Sequence, residues 1–274
     1  MTLYGLIAHP AGHSRSPQMQ NMMIAEYGID AHYHAFNILP EKLEEAIVGL
    51  KALHVGGFNV STPFKNEIIQ YLDELSPISQ RLHAVNTVKS VKGRLIGTNT
   101  DGDGFWQSIN SRQPKEMVIV LGTGGAARSV IATAKLYGVR ELIVFNRVHE
   151  DWHERKAEIS YLSGGNGHLE DLADNQMLTK ALKRADMLIN ATTVGMNDLR
   201  TLLTDLQIAL LPQHALVVDM IYRNQQTTLL KSANQRGLAT LNGLPMLVNQ
   251  GALSFEYWFD RPADRNLMKK AIEE

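Results

Sequence analysis

Lys65 is the first residue of the chain whose type and setting could do chemistry. It ends the segment Asn59-Val60-Ser61-Thr62-Pro63-Phe64-Lys65, which begins as an apolar strand. We predict that Thr62 caps a helix and that Pro63 opens it, so that Lys65 lies in the first helical turn. The positive end of a helix dipole favours the neutral form of an amine, and a neutral amine can take a proton from a hydroxyl group. A solvated surface lysine is the alternative interpretation.

Asp101 is the second candidate, in a glycine-rich bend before a predicted amphipathic helix. Its simplest interpretation is the N-cap of that helix, and a functional carboxylate is the alternative. The run Asp101-Gly102-Asp103-Gly104 lacks the remaining ligand spacing of a calcium loop. We therefore predict no metal site here.

Polar side chains at two further positions suggest ligand contacts. Ser14 and Ser16 precede Pro17, and we predict that Ser16 caps a helix that Pro17 opens. The two hydroxyls either cap this helix or hold a carboxylate. Gln250 interrupts an apolar helical row formed by Met246, Leu253 and Tyr257, so its amide needs a partner from the protein or from a ligand.

The segment Met117-Val118-Ile119-Val120-Leu121-Gly122-Thr123-Gly124-Gly125-Ala126-Ala127 predicts a buried strand, a tight turn and a helix start. Gly122, Gly124 and Ala127 fit the spacing of a Rossmann-type dinucleotide site, in which a pyrophosphate lies at the helix N-terminus. The next predicted strand ends at Asn146-Arg147, about 24 residues after Gly122, where such folds select the ribose. Arg147 can pair with a 2′-phosphate, whereas the nearby Glu150 and Asp151 weaken that case. We predict NADP over NAD, with NAD left open.

The elements around these residues alternate strands and helices, which predicts an α/β fold with a parallel type of sheet. The polar, proline-containing segment 111–115 marks a domain junction, with a connecting helix before it. We predict a substrate-binding catalytic domain over 1–103, a Rossmann NAD(P)-binding domain over 104–237 and a C-terminal segment over 238–274.

Composition limits the classes of function. The chain has 274 residues, a net charge of −1 and no cysteine. The absence of cysteine excludes disulfides and thiol catalysis and suits a reducing cytoplasm. The net charge near zero argues against nucleic acid as the main partner. We also expect no secretory signal peptide and no membrane span.

Segments along nearly the whole chain resemble the shikimate dehydrogenase family, including its quinate/shikimate dehydrogenase branch. The most specific are the Asn59–Lys65 and Asn99-Thr100-Asp101-Gly102 segments; the glycine loop alone is weak. The other matching segments are His13-Ser14-Arg15-Ser16-Pro17, Val85-Asn86-Thr87, Asn146-Arg147, Asn190-Ala191-Thr192 and Gly243-x-x-Met246-Leu247-x-x-Gln250.

The resemblance implies a reversible, NADP-dependent reduction of 3-dehydroshikimate to shikimate, a step in aromatic amino-acid biosynthesis. It implies that Lys65 is the acid/base with Asp101 beside it, and that the C-terminal helices return to pack on the first domain. The implied substrate contacts are Ser14, Ser16, Asn59, Ser61, Asn86, Tyr222 and Gln250. The implied cofactor contacts are Gly122, Gly124, Gly125, Ala126, Asn146, Arg147, Thr192, Met220 and Gly243.

Some positions depart from the family pattern. Val148 replaces a Thr or Ser, Glu150 and Asp151 stand where a basic residue is frequent, and Ser61 replaces a frequent Thr. These changes keep quinate and NAD open as alternatives. A non-catalytic shikimate or quinate sensor is a further alternative, disfavoured by the presence of both Lys65 and Asp101. The sequence leaves the oligomeric state open between monomer and homodimer.

Overall fold

The computed structural model describes residues 1–223 and 226–273. Within this part the chain divides into two compact units, Met1–Gly104 together with Val248–Glu274, and Phe105–Leu247. None of the helices described combines the length and apolar character that a bilayer span requires. The α/β fold class predicted from the sequence is confirmed.

The helices, in chain order, are α1 (Ser16–Glu26), α2 (Leu43–Ala52), α3 (Pro77–Leu82), α4 (Asp101–Ser108), α5 (Gly125–Ala134), α6 (Trp152–Ser163), α7 (Asn175–Leu182), α8 (Asp205–Ile208), α9 (Thr228–Gln235), α10 (Leu244–Phe259) and α11 (Arg265–Glu273). Short 3₁₀ helices cover Pro40–Lys42, Glu67–Tyr71 and Lys135–Tyr137.

The first unit is built on a six-stranded sheet. Its strands are β1 (Thr2–Ala8), β2 (Ala31–Asn37), β3 (Gly57–Val60), β4 (Glu74–Leu75), β5 (Thr87–Val91) and β6 (Arg94–Thr98), in the order β2-β1-β3-β5-β6-β4. The sheet is mixed, because β5 runs antiparallel to both β3 and β6. The predicted parallel layer is present over β1, β2 and β3, whereas β5 and β6 pair as antiparallel strands. A hairpin through Lys92-Gly93 joins β5 to β6, and hairpins connect antiparallel strands.

The second unit is built on a fully parallel sheet. Its strands are β7 (Met117–Leu121), β8 (Glu141–Asn146), β9 (Gly167–Asp171), β10 (Met187–Asn190), β11 (Leu216–Asp219) and β12 (Ala239–Leu241), in the order β12-β11-β10-β7-β8-β9. All residues of β7 are buried, as expected for a parallel strand covered on both faces. The strand order is that of a doubly wound dinucleotide fold, in which ligands bind at the carboxyl ends of the strands.

Residues 238–247 belong to the second unit, although the predicted C-terminal segment begins at 238. The reason is that β12 pairs with β11 along Leu216–Val218 and completes the second sheet. The segment from Val248 onward belongs to the first unit. There α11 packs on α1, and the side-chain amide of Gln20 donates to the carbonyl of Gly251 (2.8 Å).

Two local predictions were wrong. Residues 62–66 form turns and no helix, because the carbonyl of Lys65 accepts from the backbone N–H of Val85 (2.8 Å) and so leaves the pattern of a regular helix. Arg15, not Ser16, occupies the cap position of α1. The row of Gln250 on α10 is only half-buried, since the buried row contains Val248, Ala252 and Phe255.

Candidate active site

Lys65 and Asp101 form an ion pair in the first unit. The Lys65 Nζ lies 2.5 Å from Asp101 Oδ2, and the two side chains are 23% and 9% exposed. Lys65 sits in the turns after β3, held by the completely buried Phe64 and by the Val85 N–H bond to its carbonyl. Asp101 is the first residue of α4. A partly exposed amine beside a buried carboxylate can exchange a proton with a substrate hydroxyl.

Asn86 fixes the orientation of Asp101. Its Nδ2 donates to Asp101 Oδ1 (2.7 Å) and to Thr100 Oγ1 (2.9 Å), while its Oδ1 accepts from the Thr100 N–H (2.9 Å). The Asn99 side chain accepts from the Asp101 N–H (3.1 Å). With Oδ1 occupied, Asp101 turns Oδ2 toward Lys65.

Buried hydrogen bonds extend from this pair to Tyr33, which lies near the serine turn. Asn59 donates to the carbonyl of Asn86 (3.0 Å) and accepts from the Tyr33 hydroxyl (2.8 Å). Ser16 lies near the Tyr33 hydroxyl, and the Ser16 N–H donates to Ser14 Oγ (3.2 Å). Burial raises the pKa of Tyr33, so its hydroxyl stays protonated and can donate to Asn59.

Gln250 and Ser61 join this arrangement through their backbones. The Gln250 carbonyl accepts from Thr100 Oγ1 (3.1 Å), and the Ser61 N–H donates to the carbonyl of Ile7 (3.0 Å). The structure thus brings together Ser14, Ser16, Asn59, Lys65, Asn86, Asp101 and Gln250 in one unit, with Ser61 on the strand end beside Asn59.

Sequence reasoning missed several members of this network: Tyr33, Thr87, Asn99, Thr100 and Ser254. Thr87, Asn99 and Thr100 stand next to Asn86 and Asp101 in the segments that carry the family resemblance. Ser254 lies one helical turn after Gln250, and its hydroxyl lies 2.8 Å from Thr87 Oγ1. Tyr33 gave no signal, because only the pairing of β1 with β2 brings it to the site.

The glycine loop of the second unit joins β7 to α5. Gly122 has φ +101°, and an added Cβ would lie 2.7 Å from Thr192 Cγ2. Gly124 and Gly125 are exposed, and among the residues that the structure describes no atom lies within 4 Å of a Cβ added to either. Gly124 is the N-cap of α5 and has no side chain that could cover the first-turn N–H groups around Gly125 and Ala126, an arrangement typical of helix N-termini that bind anions.

Asn146 and Arg147 follow β8 beside this loop. The Asn146 side chain donates to Thr123 Oγ1 (3.1 Å), which ties the end of β8 to the residue between Gly122 and Gly124. Arg147 is exposed. Both residues therefore lie at the edge of the sheet where a dinucleotide fold holds its adenosine ribose.

The ends of β10 and β11 carry the remaining predicted residues. Thr192 donates to Asn190 Oδ1 (2.8 Å), and Asn190 donates to Asp219 Oδ1 (3.1 Å). Met220 follows Asp219, and the half-buried Tyr222 lies two residues beyond. A Cβ on Gly243 would clash with the Met220 carbonyl, so only glycine fits there.

The open glycine cradle, the uncapped start of α5 and the strand order agree with a bound dinucleotide. They define the class of Rossmann-type dinucleotide-binding proteins, here joined to a unit that carries a Lys–Asp pair.

Comparisons with known proteins identify the family. The shikimate dehydrogenase substrate binding domain matches residues 6–88, and the shikimate 5′-dehydrogenase C-terminal domain matches residues 243–273. A relative named Shikimate dehydrogenase (NADP(+)), from Bacillus cytotoxicus, is 40% identical over 274 residues, covering 98% of this chain and 97% of the relative.

Solved structures agree with this match. Shikimate 5-dehydrogenase from Listeria monocytogenes, in complex with shikimate and NAD, is 34% identical with a TM-score of 0.92, covering 98% of this chain and 96% of that one. Shikimate 5-dehydrogenase from Thermus thermophilus, in complex with NADP(H) and shikimate, is 33% identical with a TM-score of 0.84, covering 99% and 98%. The chain belongs to the shikimate dehydrogenase family.

Proposed function

We propose that this protein is a shikimate dehydrogenase that reversibly reduces 3-dehydroshikimate to shikimate with NADPH, a step in aromatic amino-acid biosynthesis. The observation that carries the proposal is the Lys65–Asp101 pair, 2.5 Å apart and held by Asn86. The relatives named as NADP-dependent enzymes support the same cofactor.

In the oxidation of shikimate, the proton of the reacting hydroxyl passes to the Lys65–Asp101 pair. Bound NADP⁺ would supply a nicotinamide ring that accepts a hydride from the carbon that carries this hydroxyl. Asp101 anchors Lys65 Nζ and shares the proton, while Asn86 keeps the carboxylate aligned. In the reverse direction the pair returns the proton to the new alkoxide oxygen.

The remaining predicted residues bind the substrate or the cofactor. We propose that Ser14 and Ser16, with Tyr222, hold the substrate carboxylate, and that Ser61, Asn86 and Gln250 face the ring hydroxyls. Asn59 positions Asn86 by donating to its carbonyl. Gly122, Gly124, Gly125 and Ala126 hold the pyrophosphate through backbone N–H groups. Asn146 and Arg147 take the adenosine ribose and its 2′-phosphate, and Thr192, Met220 and Gly243 take the nicotinamide half. We further propose a cytoplasmic monomer or homodimer whose ligands are small molecules.

The test is a kinetic panel that crosses shikimate and quinate with NADP⁺ and NAD⁺, followed through the absorbance of the reduced cofactor. We expect turnover that is fastest with shikimate and NADP⁺. Lys65→Ala should lower kcat by about 10²–10⁴-fold, whereas Lys42→Ala, which removes an exposed lysine paired with Glu45, should leave kcat unchanged.

Other outcomes would redirect or reject the proposal. Quinate oxidation equal to shikimate oxidation would place the protein in the quinate/shikimate branch. Tight binding of shikimate without cofactor reduction would favour a sensor. Full activity of Lys65→Ala would reject the acid/base role.

A further inference from the structure

Arg155 contacts the glycine loop from the first turn of α6. Its Nη1 donates to Thr123 Oγ1 (2.9 Å), the same oxygen that accepts from Asn146 Nδ2 (3.1 Å). The guanidinium therefore lies at the end of β8, where a dinucleotide fold selects its ribose. Arg155 lies about 30 residues beyond the glycine loop in the chain, outside the motifs that predicted the site.

Asp151 holds Arg155 in this position. Arg155 Nε donates to Asp151 Oδ1 (2.8 Å), and Nη2 lies 2.8 Å from Oδ2, which makes a two-point pair one helical turn apart. The guanidinium lowers the pKa of Asp151, so the carboxylate stays ionised at neutral pH and remains bound to Arg155. Asp151 is therefore paired with a cation.

Three of the five N–H groups of Arg155 are used in these bonds. One N–H remains on each terminal nitrogen, and neither has a protein acceptor within residues 1–223 and 226–273. Two N–H groups fixed on a planar fork match two oxygens of a phosphate. A mobile lysine would lack this geometry.

We propose that Arg155 is a cofactor-selecting residue of this protein, which binds the phosphate monoester on the 2′-oxygen of the adenosine ribose, with Asp151 as its positioning residue. The inference rests on the proposed dehydrogenase function and deepens it. The proposal also explains why the acidic Asp151 lies beside a site for the negatively charged 2′-phosphate, because Asp151 orients Arg155.

The test measures binding to the intact protein by calorimetry, without turnover. The probes are adenosine 2′,5′-bisphosphate, which carries the 2′-phosphate, and adenosine 5′-monophosphate, which lacks it. Arg155→Ala should weaken the bisphosphate by about 10–100-fold and change the monophosphate by less than about 2-fold. Arg155→Lys keeps the charge but loses the fork, and it should lie between wild type and Arg155→Ala for the bisphosphate.

Lys156→Ala is the matched control, because it removes one exposed cation from the neighbouring position of α6. It should alter both affinities by less than about 2-fold, since exposed charges are screened by salt. Equal weakening of both probes by Arg155→Ala would mean that Arg155 only shapes the loop, and no weakening would mean that it makes no contact. Either result overturns the inference.

The failure of the inference can be told apart from failure of the function. If wild type binds both probes equally yet oxidises shikimate with NAD⁺, the inference fails and the dehydrogenase stands. If wild type binds neither probe and reduces no cofactor, the proposed function fails as well.

Discussion

The side-chain amide of Asn59 is held by protein groups on both of its polar atoms. Its Nδ2 lies within hydrogen-bond distance of the Asn86 carbonyl, Thr87 Oγ1 (3.1 Å) and Ser254 Oγ (2.9 Å), and its Oδ1 accepts from Tyr33. The residue is 6% exposed. These bonds use both donors and one acceptor position of the amide, which favours a positioning role for Asn59 over direct contact with a substrate hydroxyl.

Asn59→Ala should therefore act mainly on stability. Removing the amide leaves buried donors and acceptors without partners, and each costs about 1–3 kcal/mol. We expect the free energy of unfolding, measured by urea denaturation, to fall by at least about 2 kcal/mol. The KM for shikimate of the folded fraction should change less than kcat, because the Asn86–Asp101 arrangement is disturbed.

Ser61→Ala is the contrasting variant. The hydrogen bonds that the structure gives to Ser61 run through its backbone, so stability should change by less than about 0.5 kcal/mol. Its proposed substrate contact predicts a higher KM for shikimate. Unchanged stability of Asn59→Ala with a selective rise in KM would instead assign Asn59 to the substrate.

At this scale, residue types could be predicted from the sequence but their partners could not. Lys65 stood out because a lysine at a strand end favours a chemical interpretation. Its contact with Asp101, 36 residues away, depends on where β3 and α4 meet in the fold. Arg155 was missed for the same reason, because only the packing of α6 beside the glycine loop brings it to Thr123.

At the scale of elements, the ends of β10 and β11 are tied together by one buried carboxylate. Asp219 is fully buried and accepts from Asn190 Nδ2, from the Ile221 N–H (3.1 Å) and from Thr227 Oγ1 (2.7 Å). Burial nevertheless raises its pKa, because desolvation outweighs these bonds. The loops that carry Thr192 and Met220 thus depend on a group that titrates abnormally.

Asp219 should give stability a characteristic pH dependence. A carboxyl whose folded-state pKa is raised binds its proton more tightly in the folded state, so its contribution is fully present below the ordinary value of 3.8 and is lost as pH rises through the raised folded value. Relative to Asp219→Asn, the wild-type free energy of unfolding should fall with pH in that window, by at most about 1.4 kcal/mol per pH unit.

Urea denaturation of both proteins at a series of pH values from the ordinary value of 3.8 up to neutral measures this difference. A difference that stays constant, or that grows in favour of the wild type as pH rises, would contradict a raised pKa. The lost bond in Asp219→Asn adds a constant offset, so only the slope is diagnostic.

Elements with a strong local pattern could be predicted from the sequence. The strand, turn and helix around Gly122 follow from the apolar run and the glycines, and β7 and α5 lie there. The helix expected at Thr62 does not form, because the Val85 N–H donates to the Lys65 carbonyl. The antiparallel pairing of β5 with β3 is not a local feature, because it joins Gly57–Asn59 to Thr87–Lys89.

At the scale of the whole molecule, each unit has its own sheet, and the C-terminal segment completes the first. Residues of α10 and α11 enter the core of that unit, and Trp258 donates from Nε1 to the carbonyl of Val88 on β5 (2.9 Å). A Cβ on Gly57 would lie 2.5 Å from the same Trp258 nitrogen, so this contact is tight. The second unit ends at Leu247 and needs none of these residues for its sheet.

A chain ending at Leu247 should therefore lose shikimate oxidation and keep the binding of NADPH. Without α11 and most of α10, the first unit loses the buried side chains Ala252, Phe255, Trp258 and Met268, and large apolar losses of this kind cost about 3–5 kcal/mol per aromatic residue. We expect no shikimate oxidation and rapid proteolysis of residues 1–104. The glycine loop and β7–β12 remain intact, so NADPH, followed by its fluorescence, should bind within about 5-fold of the full-length Kd.

Trp258→Ala, which retains the segment, should weaken the first unit in the same direction to a smaller extent. Retained shikimate oxidation by the truncated chain would show that Val248–Glu274 is dispensable for the first unit, and loss of NADPH binding would show that the second unit cannot stand without it.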